Sequence, residues 1–174
     1  MSLEIITKLL CIFAGLAENR TYLMVTNRLI TIADLVHYFL SKPVKTAASI
    51  IYLPQLFHLL TIHLKHRLPP ENKNLRDVYI EYLLCCGVIY KLKAKLKFIR
   101  GPEYLTNNTI SLILLKSVSF LEALTSVHRS EYKPAFENNY RLGEYALCVF
   151  KETEMVGIAY LLANILLAQG IPKQ

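Results

Sequence analysis

The chain of 174 residues carries a net charge of +7 and is 53% hydrophobic, so it is long enough to bury a sizeable core and is expected to form one domain over residues 1–174. Tryptophan is absent and glycine occurs only 6 times, a composition that disfavours a turn-rich all-β fold. The apolar excess indicates either a tightly packed helical core or a surface that another subunit covers.

The N-terminal part of the chain has apolar residues at helical spacing. The pattern predicts a helix over residues 3–17, whose apolar face consists of Ile5, Leu9, Ile12, Phe13 and Leu16. A second helix is predicted from Thr21, a good N-cap residue, to about Leu40, because Pro43 then prevents its continuation.

The next apolar segment contains Pro54, which permits two interpretations. The proline either kinks one long helix or occupies the first turn of a second helix. The sequence favours two consecutive helices, over 44–52 and 54–66, followed by the loop RLPPENKN at 67–74.

In the stretch KLKAKLKFIR, residues 91–100, lysines alternate with apolar residues. Alternation fits a half-exposed strand, yet Ile89, Leu92, Leu96 and Ile99 also fall on one face of a helix. No β-branched residue occurs from 90 to 98, and Ala, Leu and Lys are good helix formers. We therefore predict one long helix over 75–100 with its lysines toward solvent.

Three further helices are predicted over about 109–127, 139–151 and 154–169. The last is apolar on all sides, which predicts that it is the most buried helix. The run MVGIAYLLANILLAQGI, residues 155–171, is at the short limit for a membrane span and contains Asn164 and Gln169, so a core helix is favoured over a transmembrane one.

These elements predict an all-α fold of seven or eight helices. The run LITIADLVHYFLSKPVKTAASIIYLPQLFHLL, with a short break followed by the small residues Ala47 and Ala48, resembles an armadillo or HEAT repeat. The final VGIAYLLANILL is similar to the buried last helix of such a repeat. The resemblance implies a scaffold that binds extended peptides or other subunits on a face of stacked helices. An irregular helical bundle is the alternative architecture.

Few residues form patterns that suggest catalysis or metal binding. His63 and His66 are an i, i+3 pair, but Lys65 and Arg67 flank them, which is typical of a solvated, cationic helix end rather than of a metal site. H-E-x-x-H, Gly-rich phosphate loops, G-x-S-x-G and paired carboxylates for acid–base chemistry are all missing. We therefore expect no enzymatic activity, no cofactor and no metal.

The cysteines bear on the compartment. None of the four lies in a C-x-x-C pair, so they are expected to be buried, reduced thiols of an intracellular protein, cytoplasmic or nuclear. They are Cys11, Cys85, Cys86 and Cys148.

Positive charge is concentrated in residues 61–100, where nine Lys and Arg face three acidic residues, so that this segment holds +6 of the total +7. The residues expected to form a basic binding face are Lys65, His66, Arg67, Lys73, Lys91, Lys93, Lys95, Lys97 and Arg100. Such a face attracts acidic proteins, phosphate backbones and anionic lipid, or it serves solubility alone.

The sequence thus predicts a non-enzymatic interaction or scaffold module, a subunit of a larger complex whose partner is an acidic segment or a helical subunit. The alternative is a nucleic-acid-associated protein that binds the phosphate backbone through the same basic face. Membrane-surface binding is the least favoured. Salt dependence separates these classes, because phosphate contacts weaken steeply as salt rises and a hydrophobic docking interface does not.

Overall fold

A computed structural model of the chain describes residues 3–26, 28–42, 47–97, 108–126 and 141–169. These residues form nine α-helices and the short 3-10 helix Pro70–Asn72, with no strand among them, which confirms the all-α class. In chain order the helices are α1 Leu3–Phe13, α2 Ala17–Val25, α3 Arg28–Ser41, α4 Ala47–Leu64, α5 Leu75–Cys85, α6 Val88–Lys97, α7 Asn108–Ser126, α8 Leu142–Thr153 and α9 Val156–Gln169.

The lysine-rich segment is helical through α6, as predicted, whereas residues 98–100 lie outside the described part of the chain. Ile89 and Leu92 are buried, and α6 packs against α3. The helical period of the apolar residues, rather than their alternation with lysine, therefore decides which side chains of this segment face the core.

The two N-terminal helices expected from the sequence are three helices in the structure. α1 ends at Phe13, and the Gly15 N–H donates to the carbonyl oxygen of Ile12 at 3.1 Å in the turn that follows. α2 and α3 meet at a bend of 86°. At the end of α2 the Thr26 hydroxyl donates to the Tyr22 carbonyl at 2.8 Å, which satisfies a terminal helix carbonyl without a further turn. Thr21 lies inside α2 and is not its N-cap.

Pro54 lies inside α4, so the prediction of two helices over this segment is wrong. A proline in a helix interior removes one backbone hydrogen bond and costs roughly 3 kcal/mol. α4 nevertheless remains continuous because it packs on α1, α3 and α7, and the buried apolar surface of those contacts outweighs the cost.

The predicted long helix over 75–100 is interrupted between α5 and α6. Gly87 adopts a φ of 80°, a left-handed conformation that side-chain-bearing residues rarely take. The Cys86 N–H donates to the Tyr82 carbonyl at 2.9 Å, which ends α5 just before the glycine. The change of direction lets α5 and α6 both pack against α3.

The core lies between α4 and α7, which pack along each other, and α9 covers the other side of α7. Phe57 and Phe120 meet across the α4–α7 contact with ring centroids 5.8 Å apart. On the α3 side, the Phe39 and Tyr52 rings lie 5.2 Å apart, which places the C-terminal end of α3 beside the N-terminal third of α4. The hairpin of α3 and α4 is therefore antiparallel.

α9 is not the most buried helix. Ile158, Leu162 and Ile165 are buried, but Val156 is 84% exposed and Leu167 is 66% exposed. The sequence prediction is wrong because an apolar residue at every position of a helix does not ensure that neighbouring helices surround it. Here α7 and α8 cover one side only.

Candidate interaction surfaces

The apolar face of α1 points to solvent. Ile5, Leu9 and Ile12 are between 48% and 75% exposed at the spacing of a single helical face, and Leu16, in the turn after α1, is also exposed. On the opposite side, Thr7 and Ala14 are fully buried, and this is the side from which α1 packs on α4. We call Ile5, Leu9, Ile12 and Leu16 the α1 stripe. An exposed apolar row of this length is typical of a surface that a partner covers.

Beside the α1 stripe, a groove of about 440 Å³ lies between α1 and α7, and it is open to solvent. Both helices pack on α4 with little contact to each other, so α4 forms the floor. The apolar part of the lining comes from all three helices: Cys11 and Ile12 of α1, Pro54 of α4 and Leu112 of α7. Ile12 belongs to both surfaces, so the stripe and the groove are continuous.

The polar residues of the groove are cationic or neutral. Lys8 and Lys116 lie on its two sides, and Gln55 and His58 contribute from α4. Burial, followed by the charge of Lys116, lowers the pKa of His58. None of the described groove-lining residues is acidic, so they present an apolar floor with positive sides to an occupant.

A second exposed apolar surface lies on α9. Val156, Tyr160 and Leu167 follow one another at helical spacing and are each more than half exposed. On the neighbouring α8, Leu147 is 39% exposed. None of these side chains lines the groove beside α1, so this surface offers a partner less shape than the α1 stripe does.

Of the residues predicted for the basic face, Lys65 already has an acidic partner in the chain. Its Nζ atom lies 2.7 Å from Oε2 of the buried Glu122 in α7. Arg67 and Lys73 are exposed in the loop that joins α4 to α5, and His66 is half-buried beside them. Lys65 therefore contributes less to a basic face than the sequence count indicates.

The α6 lysines lie at the other end of the α3–α4 hairpin. Lys91 is half-buried, with Nζ 2.5 Å from the Ser41 hydroxyl and 3.3 Å from Nδ1 of His37 at the end of α3. Lys93 is also half-buried. The side chains of Lys95 and Lys97, and the whole of Arg100, lie outside the described residues.

The described members of the predicted basic face thus form two groups rather than one close cluster. Tyr52 marks the end of α4 near α6, and Lys65 follows it by 13 residues, which is ~20 Å along an α-helix. The structure brings Lys65, His66, Arg67 and Lys73 to one end of α4 and Lys91 to the other.

A polar cluster at the C-terminal end of α4 includes residues that the sequence did not single out. Arg20 Nε lies 3.4 Å from His66 Nδ1, and Thr21 Oγ1 lies 2.9 Å from His66 Nε2, both from α2. Arg76, at the start of α5, donates to the His66 carbonyl oxygen. Arg20 is 46 residues from His66 in the chain, so no local pattern could have joined them.

His63 is fully buried beside this cluster, so the expectation of a solvated helix end is wrong for this residue. Its Nδ1 atom lies 2.6 Å from the Leu59 carbonyl oxygen, which assigns the ring proton to Nδ1. Burial, partly offset by this bond, lowers the pKa of His63 to about 4, and the charges of Arg20 and His66 add to the lowering.

The cysteine prediction needs correction. Cys85 and Cys148 are exposed and Cys11 and Cys86 are half-buried, and all four are free thiols. Among the described residues, no group of three or more His, Cys, Asp or Glu side chains is placed to hold a metal ion.

No family model, no curated protein and no solved structure matches this chain. Within the described ranges, no single helix has both the length and the apolar character needed to cross a bilayer. α2 and α3 reach that length and apolar composition only when taken together, as a bent pair.

Proposed function

We propose that this chain is a non-enzymatic interaction module and a subunit of a larger assembly. Its α1 stripe and the adjoining groove bind an amphipathic helix of a partner protein, and that helix carries acidic residues beside its apolar ones. The observation that carries the proposal is the solvent exposure of an apolar helical face that is continuous with an apolar groove between two lysines.

The apolar part of the proposal follows from shape. A groove beside a helix can accept a second helix with anchors at i, i+3, i+4 and i+7, which is a common mode of peptide recognition. The helical part of the α1 stripe, from Ile5 to Ile12, is about 10 Å long, and Leu16 extends it into the turn that follows. A helical partner makes better use of this length.

The acidic character of the partner follows from charge. Lys8 and Lys116 are the charged residues of the groove, and the whole chain carries +7. Carboxylates at the edge of a docking helix would pair with these lysines, and the net positive charge would speed the encounter. The basic groups at the two ends of α4 contribute to this attraction at longer range. The armadillo- or HEAT-like arrangement stays a prediction.

A pair of designed peptides tests the proposal directly. One is a helix with leucines on one face and glutamates elsewhere, and its twin replaces every glutamate by lysine. We expect the acidic peptide to bind, as measured by fluorescence anisotropy. Ile12→Glu and Lys116→Glu should each weaken binding about tenfold or more, since anchors at the centre of an interface carry most of its energy.

Val78→Glu is the matched control, because Val78 is 57% exposed on α5, outside the groove. This variant should bind the acidic peptide as the parent chain does. Equal binding of both peptides, or unchanged binding by the groove variants, would contradict the proposal. Binding of a random-sequence DNA duplex that weakens steeply with salt would instead support the nucleic-acid alternative.

A further inference from the structure

The polar cluster between α2, α4 and α5 contains two guanidinium groups around one imidazole. Arg20 Nε lies 3.4 Å from His66 Nδ1, and Arg76 donates to the backbone carbonyl of the same histidine. A guanidinium is protonated at every physiological pH. His66 stays neutral beside them, since burial and then the charges of Arg20 and Arg76 lower its pKa. Two positive charges are thus held close together.

Neither arginine contacts a carboxylate among the described residues. Arg20 donates to His66 and to the Ala14 carbonyl oxygen at 3.2 Å, and the neutral carbonyl of His66 accepts from Arg76. Holding like charges together without a counter-charge is unfavourable in a partly buried site. Lys65 pairs with Glu122, whereas neither arginine has such a pair within the described part of the chain.

Two buried polar atoms near the C-terminal end of α4 lack a hydrogen-bond partner among the described residues. They are Nε of Arg76 and Nε2 of His63, a residue that is fully buried. A buried polar group without a partner costs about 1–3 kcal/mol, and proteins rarely leave one so. Because His63 lies one turn before His66 on α4 and the charge of Arg20 acts on it, its free atom belongs to the same cluster.

We propose that Arg20 and Arg76, with the Thr21 hydroxyl, bind a phosphate-type oxyanion beside His66. Two fixed positive charges are best neutralised by two negative charges. Near neutral pH a phosphate carries almost two negative charges, whereas a single carboxylate carries one. Guanidinium N–H groups match the oxygens of such an anion, and the Nε–H of Arg76 has no other acceptor. Arg20, Thr21, His66 and Arg76 each keep part of their surface exposed, so a small ion can approach the cluster from solvent, although Nε of Arg76 is itself buried.

Isothermal titration with inorganic phosphate, at constant ionic strength, tests this site. We expect phosphate to bind, sulfate to compete with it and acetate not to do so. Arg20→Gln and Arg76→Gln should each weaken phosphate binding about tenfold or more, the loss expected for a hydrogen bond to a charged group. Methyl phosphate distinguishes two sources of the anion: tighter binding than inorganic phosphate indicates a phosphomonoester ligand, and weaker binding indicates the free ion.

Arg28→Gln is the matched control, because Arg28 is an exposed arginine on α3 and its loss changes the net charge equally. It should bind phosphate like the parent chain. If Arg76→Gln does not fold, NMR titration of the His66 ring in the parent chain decides. A bound anion should raise the pKa of His66 by countering both arginines. An unchanged His66 titration, or equal losses for Arg28→Gln and Arg20→Gln, would overturn the proposal.

Discussion

His63 lies fully buried at the C-terminal end of α4, where its neutral ring is held by the carbonyl oxygen of Leu59. Its neighbours in sequence, Lys65, His66 and Arg67, are polar and give no sign of this burial. The signal is present but weak: Leu56, Leu59, Leu60 and His63 share a face at helical spacing, and the first three are core residues. At the scale of single residues, the spacing of neighbours was more informative than their polarity.

The first prediction concerns stability at acidic pH. The pKa of His63 is about 4 in the folded chain and ~6.5 when unfolded, so the folded state resists protonation and the unfolded state does not. The contribution of this histidine is complete above pH 6.5 and is lost as pH falls toward 4. The free energy of unfolding should therefore decrease by about 3 kcal/mol from this residue between pH 7 and pH 4.

Urea unfolding at several pH values measures the effect. His63→Leu lacks the titrating ring, so its stability should depend less on pH over the same range, by about the same 3 kcal/mol. His58→Leu is the comparison: His58 is exposed on the same helix and its pKa is also lowered, so removing it should reduce the pH dependence less than His63→Leu does. Parallel pH profiles for the parent chain and His63→Leu would show that His63 is not buried in the neutral form.

The second prediction concerns Lys65 and the buried Glu122. Lys65→Met should destabilise the chain by about 1–2 kcal/mol, because it leaves a buried carboxylate without its counter-charge, whereas the half-exposed lysine limits the cost. The double variant Lys65→Met with Glu122→Leu should regain most of the loss. Arg67→Met, at an exposed neighbour, is the control for urea unfolding. A loss no larger than that of Arg67→Met would mean that the pair is not formed in solution.

At the scale of helices, the sequence was most informative about where helices occur and least informative about where they break. Helix α7, Asn108–Ser126, matches the predicted 109–127 closely because a long periodic pattern defines it. Gly87 was visible in the sequence, yet helical periodicity on both sides concealed the left-handed turn. Pro54 had the opposite effect: its local preference predicted a helix end, and tertiary packing of α4 overrode that preference.

The third prediction distinguishes the two sides of α9. Leu162→Asp should cost at least about 4 kcal/mol and unfold the chain, because it places a charge in the core. Leu167→Asp, at a position 66% exposed on the same helix, should change stability by about 0.5 kcal/mol or less. Circular dichroism with thermal melting compares the two. Similar melting of both variants would mean that α9 is not oriented as described.

At the scale of the whole molecule, the all-α class followed from composition and periodicity, whereas the surfaces did not. The same spacing that identifies the α1 stripe as a helical face would equally suit a face packed on the core. Which of the two occurs depends on whether α4 meets that face or the opposite one, where Thr7 and Ala14 lie, and this is a property of the assembled helices. The groove beside α1 was unpredictable for the same reason.

The fourth prediction concerns how stability is distributed over the fold. α4 and α7 pack along each other and hold the largest buried side chains, among them Phe57 and Phe120. Their amides should exchange with solvent only on global unfolding and should be the slowest in the chain. α1 covers α4 from one side only and should exchange faster. Hydrogen exchange with mass spectrometry measures this order, and equal protection of α1 and α7 would contradict it.

The exposure of Cys85 and Cys148 has a practical consequence. These two thiols project from α5 and α8, whereas burial raises the pKa of Cys11 and Cys86 and keeps them protonated. A maleimide dye at neutral pH should therefore label the first two quickly and the others slowly. The native chain thus already contains attachment points for a fluorescence donor and acceptor, and energy transfer between them would report the distance between α5 and α8 without any engineered cysteine.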